Sequence, residues 1–185
     1  MRCFPFVATA IALQGALACS EPQTEPAPFA TERVLLAAPD LFRELTTAED
    51  PFTTHRPETF LCHPLNGFYV EEDHLELDTA NCDYLAVGQP ALTGGSRGAR
   101  VFGSVSHFDL TAAEPAVAHL AVTWGNLTLT EASIPIPSPA DVLDFELTLA
   151  HDLAISELVT LHLHNHGQNT YQFGALWLER AADQR

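Results

Sequence analysis

From Phe60 onward the chain is a succession of short apolar or alternating runs, and no stretch carries the period of a long helix. The runs cover 67–70, 74–77, 85–87, 99–110, 117–124, 127–136, 142–149, 158–164 and 171–179. Turn residues punctuate them: Glu71-Glu72-Asp73, Gly94-Gly95, Gly125-Asn126, Pro135 to Pro139 and Asn165 to Asn169. Short strands at this spacing predict an all-β, antiparallel sandwich or barrel. Upstream, Pro39 precedes Asp40-Leu41-Phe42-Arg43-Glu44-Leu45, where Asp40 can cap and Leu41 and Leu45 share a face. That pattern predicts one short N-terminal helix, expected to cover the end of the β core.

The 185 residues suffice for one domain with a core that excludes water unaided. Apolar residues make up 46% of the chain, which excludes general disorder. The basic residues are all arginine, and the formal net charge is −16. Such a field repels nucleic acid and anionic membrane surfaces, and it suits cations or basic partners.

Residues 1–18 read as a signal peptide. Arg2 supplies the positive end, and 4–17 is an uncharged apolar stretch. It is shorter than the roughly 20 residues that span a bilayer. Ala16-Leu17-Ala18 places small residues where a signal peptidase accepts them, and the next residue is Cys19. An ordinary peptidase would cut the same bond and leave a free thiol. The run Gly15-Ala16-Leu17-Ala18-Cys19 resembles a bacterial lipobox, which implies a diacylglyceryl group on Cys19 and anchoring in a membrane through that lipid. Cysteine arithmetic agrees. Cys3 departs with the leader, and lipidation of Cys19 leaves Cys62 and Cys82 to pair in the oxidising envelope. That disulfide would close a loop of about 20 residues and contribute on the order of 3 kcal/mol. Ser20 after the cysteine implies sorting to the outer membrane. Residues 19–32 carry three prolines and read as an acidic, extended tether. Residues 33–53 then form the short helix and cover segment, and 54–182 the sandwich.

The order of features, Gly98-Ala99-Arg100-Val101 opening one strand, Trp124 ending another, and Tyr171-Gln172-Phe173-Gly174-Ala175-Leu176-Trp177-Leu178 closing the chain, resembles the galactose-binding-like, carbohydrate-binding jelly rolls of secreted bacterial proteins. The resemblance implies a β-sandwich of jelly-roll type and a glycan or envelope-protein ligand. The runs 107–115 and 162–167 are similar to those of a group of bacterial lipoproteins, which implies export and no particular chemistry.

Two sets of residues are candidate sites. In the last run Tyr171, Phe173 and Trp177 share one face, and Leu176 and Leu178 share the other. An exposed aromatic row would stack on sugar rings; a buried row would be core packing. The second set is histidine-rich. His162 and His164 point away from the core-facing Leu161 and Leu163, and His119 alternates with Leu120 in the same sense. Together with His107 and Asp109 these residues are candidate ligands for a divalent metal, the one cofactor the sequence suggests, in a metal-binding protein or a metal-dependent enzyme. The alternative is a hydrogen-bonded sheet face. Gly94-Gly95-Ser96-Arg97-Gly98 has the letters of a nucleophile elbow, but the strand follows it and no helix does, so a hydrolase is not expected.

Overall fold

A computed structural model of the chain describes residues 31–181. The expected signal peptide, Cys19 and most of the tether lie outside these residues. The described residues form two antiparallel sheets packed face to face.

The strands are β1 (Thr31–Ala37), β2 (Arg43–Glu44), β3 (Phe68–Glu71), β4 (His74–Asp78), β5 (Tyr84–Pro90), β6 (Arg100–His107), β7 (Ala116–Trp124), β8 (Leu127–Ile136), β9 (Asp141–Thr148), β10 (Leu158–His164), β11 (Thr170–Phe173) and β12 (Leu176–Ala181). One sheet runs β1-β12-β6-β11-β4-β3, with β9 on the other side of β6; the second runs β2-β5-β10-β7-β8. Strands β4 to β11 therefore alternate between the sheets except at the β7–β8 hairpin. They build β9-β6-β11-β4 against β5-β10-β7-β8, which is the connectivity of a jelly roll.

The alternation expected from sequence sets the faces. Leu161 and Leu163 of β10 and Leu120 and Val122 of β7 point into the core, against Val101, Val105 and Leu178 of the other sheet. Trp124 is fully buried at one end. Pro135 lies within β8 rather than beyond it, which an edge strand tolerates because no ladder bond is lost on its open side.

Three sequence expectations are corrected. The predicted helix over 40–45 is a single 3-10 turn, Pro39–Leu41, after which Arg43 and Glu44 pair with Gly88 and Val87 of β5. So short a segment cannot repay helix nucleation, and an open sheet edge offers its backbone partners at once. The sandwich also begins before residue 54: β1 pairs with β12 through Thr31↔Ala181 to Ala37↔Leu176, so Thr31 and Glu32 belong to a strand and not to the tether.

The third correction concerns the last run, which is two strands. Phe173 faces Val105 and Trp177 faces Phe102, so this chain advances four residues while β6 advances three. One extra residue at Gly174-Ala175 reverses the alternation. Tyr171 and Phe173 therefore enter the core beside Leu176 and Leu178, while Trp177 points outward.

Cys62 and Cys82 are disulfide-bonded. The bridge and the β2–β5 pairing hold both ends of the segment between them, which lies across the outer face of the five-stranded sheet. Leu45 and Phe60 of that segment pack on Tyr84, Ala86 and Leu158.

Candidate functional site

Each sheet carries a distinct cluster on its outer face. On the five-stranded sheet, His119 of β7 stands opposite His164 of β10, and His162 lies opposite Ala121 on the same face. His119 and His162 converge with a residue the sequence did not single out, His55, at the end of the 3-10 turn Thr53–His55 in the covering segment. One ring nitrogen from each of the three lies within 4.8 Å of the others. The His55 and His119 rings stack at 3.8 Å, and His119 and His162 are 5.1 Å apart between ring centres.

Phe52 closes the cluster from above, its ring stacked on His162 at 4.5 Å. His162 is fully buried, and neither of its ring nitrogens has a hydrogen-bond partner. Burial first, then the neighbouring His119, His55 and His164, push the His162 pKa down to about 3, so the ring is neutral at neutral pH. Burial and His119 also lower the pKa of His55.

Glu131 of β8 accepts a hydrogen bond from His119 Nε2 at 2.8 Å. A carboxylate only accepts, so Nε2 carries the proton of this bond and Nδ1 is the ring nitrogen left over. That Nδ1 is buried and has no partner.

A buried carboxylate anchors the cover beside this cluster. Asp50 accepts from the backbone N–H of Phe52 at 2.9 Å, from Arg56 at 3.2 Å and from the Tyr84 hydroxyl. Arg56 in turn lies over the Phe60 and Tyr84 rings.

The other expected metal ligands are elsewhere. His164 shares the sheet face but packs on His166 and Tyr84. His107 belongs to the opposite sheet, buried against the Tyr171 ring, with Nδ1 bonded to the Phe108 carbonyl. Asp109 lies in the loop after β6, where its carboxylate accepts from the Ala140 N–H at 2.7 Å. Neither joins the His55 cluster, because β6 faces it only through the core.

On the seven-stranded sheet, the outward Trp177 stands directly across from Phe102 of β6. The guanidinium of Arg33, on β1, lies over both rings, 4.3 Å from the centre of Phe102 and 4.7 Å from that of Trp177. Arg100 binds Glu146 of β9 at 2.7 Å and Glu179 of β12 at 2.8 Å. Arg33, Arg100, Phe102, Glu146 and Glu179, with Asp144, line an open groove of about 450 Å³, and Trp177 stands beside it under the same Arg33. The expected row is thus reduced to Trp177, and its neighbour comes from a different strand.

The sequence held part of this. Period-two alternation in β10 and β7 placed His162 and His119 on one face. His55 sits in an irregular segment between Pro51 and Pro57, where no period operates; its signal was a histidine close to Phe52 in a stretch tied to the sheet by a disulfide.

No protein-family model and no curated protein matches the chain. Several solved structures are similar to it. The C-terminal CBM6 of LamC, a marine laminarinase from Zobellia galactanivorans, is 10% identical with a TM-score of 0.39, over 62% of this chain and 90% of that one. A family 29 carbohydrate-binding module is 7% identical with a TM-score of 0.40, over 81% and 89%. TmCBM61 in complex with β-1,4-galactotriose is 7% identical with a TM-score of 0.38, over 82% and 88%.

Proposed function

We propose that this chain is an exported, lipid-anchored, non-catalytic binding module of the cell envelope whose ligand is a carbohydrate. The observation that carries this reading is the outward Phe102–Trp177 pair, of which Phe102 lies in a groove rimmed by Arg33, Arg100 and three carboxylates and Trp177 stands beside it. A sugar ring offers a C–H face that stacks on an aromatic ring and a rim of hydroxyls that donate and accept. Arginine supplies fixed donors, and Asp144, Glu146 and Glu179 supply acceptors. Arg100 already engages both Glu146 and Glu179, an arrangement suited to accepting hydrogen bonds rather than delivering a proton. Arg33 rests on the aromatic faces from an exposed position, so it can swing aside to flank a bound sugar.

A glycan array, followed by titration calorimetry on the strongest hit, tests the ligand class. Trp177→Ala and Phe102→Ala are expected to weaken binding at least about tenfold with the fold retained by circular dichroism. Absence of binding to any polysaccharide, or unchanged binding by both variants, overturns the reading.

The anchor is proposed from the leader and Cys19, with the outer membrane as destination. Labelled palmitate is expected to enter the wild-type protein and not Cys19→Ser. Equal labelling of both, or of neither, removes the anchor and leaves a periplasmic or secreted module.

A further inference from the structure

We propose that His55, His119 and His162 form a binding site for one divalent transition-metal ion of the zinc class, which clamps the covering segment to the five-stranded sheet. The site rests on geometry separate from the aromatic groove. Three imidazoles from three different elements bring a ring nitrogen each within 4.8 Å of one another. In a tetrahedral zinc site with bonds of about 2.0–2.1 Å, ligand nitrogens stand about 3.3 Å apart, so closure needs shifts of at most about 1.5 Å. His55 has that freedom, because it sits half-buried at the end of a 3-10 turn and its ring lies parallel on that of His119.

Two further observations point to a ligand. His162 is completely buried, yet both of its nitrogens lack a partner, an arrangement a protein rarely keeps without use. His119 is oriented by Glu131 through Nε2, leaving the buried Nδ1 without a partner. A carboxylate behind a histidine is how ligating imidazoles are commonly held in one tautomer. The nearby acid Asp50 is committed to Tyr84, Phe52 and Arg56, so the donors are imidazole nitrogens, which suit zinc, copper or nickel rather than calcium or magnesium. Three such ligands leave a tetrahedral ion one further position, which solvent can fill.

The test uses the untagged full-length protein, stripped with a chelator and dialysed against zinc. The expected result is about one equivalent of bound zinc by elemental mass spectrometry, with a higher Tm than the stripped protein. His55→Ala should weaken zinc binding by about tenfold or more in calorimetry, and Glu131→Gln by about tenfold. Because His162 is fully buried, its replacement risks unfolding, and the half-buried His55 keeps the test valid. His164→Ala and His166→Ala, on the neighbouring loop end, should bind as wild type. Bound Co²⁺ should show the visible absorption of a nitrogen-ligated ion and lose it in His55→Ala. Less than about a tenth of an equivalent of zinc, wild-type affinity in His55→Ala, or loss through His164→Ala instead overturns the site.

Discussion

Asp50 is a carboxylate taken almost wholly out of water, and its contacts order the covering segment and tie it to the sheet. It binds the Phe52 N–H and Arg56 within its own segment and the Tyr84 hydroxyl of β5 beneath. Only the last bond crosses to the sheet. Tyr84→Phe removes that donor and leaves the buried charge less satisfied, which is expected to cost about 1.5–3 kcal/mol in denaturant unfolding at neutral pH. The same residue sets a pH dependence. Burial first, and then Asp50, push the Tyr84 phenol above its ordinary 10.0, and burial does the same to Tyr171. Below pH 10 both states keep these protons and nothing changes. Above it the unfolded chain ionises while the folded chain resists, so stability must fall as pH rises. Tyr84→Phe should therefore flatten the alkaline slope while lowering the neutral plateau; an unchanged slope would sink this account. None of this was legible in the sequence, because Asp50 and Tyr84 lie 34 residues apart in unlike surroundings.

At the level of elements, what could be read was whatever obeys period two. The runs from β3 to β10 appear within three residues of their expected bounds, since their alternation is imposed by one buried face. β1 was hidden because its seven residues mix a charged start with a continuous apolar end, and β2 because two residues carry no period at all. The break between β11 and β12 shows the sharper limit. Each half alternates properly, yet a single inserted residue at Gly174-Ala175 inverts one half relative to the other. The sequence pattern could rank Tyr171, Phe173 and Trp177 only as a set. Pairing with β6 separated them, sending two rings into the core and one to the surface. The aromatic surface that remains, Trp177 with Phe102, lies on the sheet opposite that of His162.

For the whole molecule, the consequence is two candidate sites back to back. The groove at Phe102, with Trp177 beside it, opens from the seven-stranded sheet, and the histidine cluster lies beneath the cover on the five-stranded one. Between them is a core of packed leucines and valines about 10 Å thick. The clusters share no side chain, no hydrogen bond and no loop among the described residues. What they share is the net charge of −16, which raises the local concentration of cations around both. Interactions at sites so separated should add within about 0.3–0.5 kcal/mol. Trp177→Ala is thus expected to leave zinc affinity unchanged, and His55→Ala to leave glycan affinity unchanged. The double variant should show the simple sum of both losses. Calorimetry on all four proteins closes the cycle. A coupling energy above about 1 kcal/mol would mean that the cover and the groove communicate through the sandwich, by a rearrangement of strands that rigid layers do not provide.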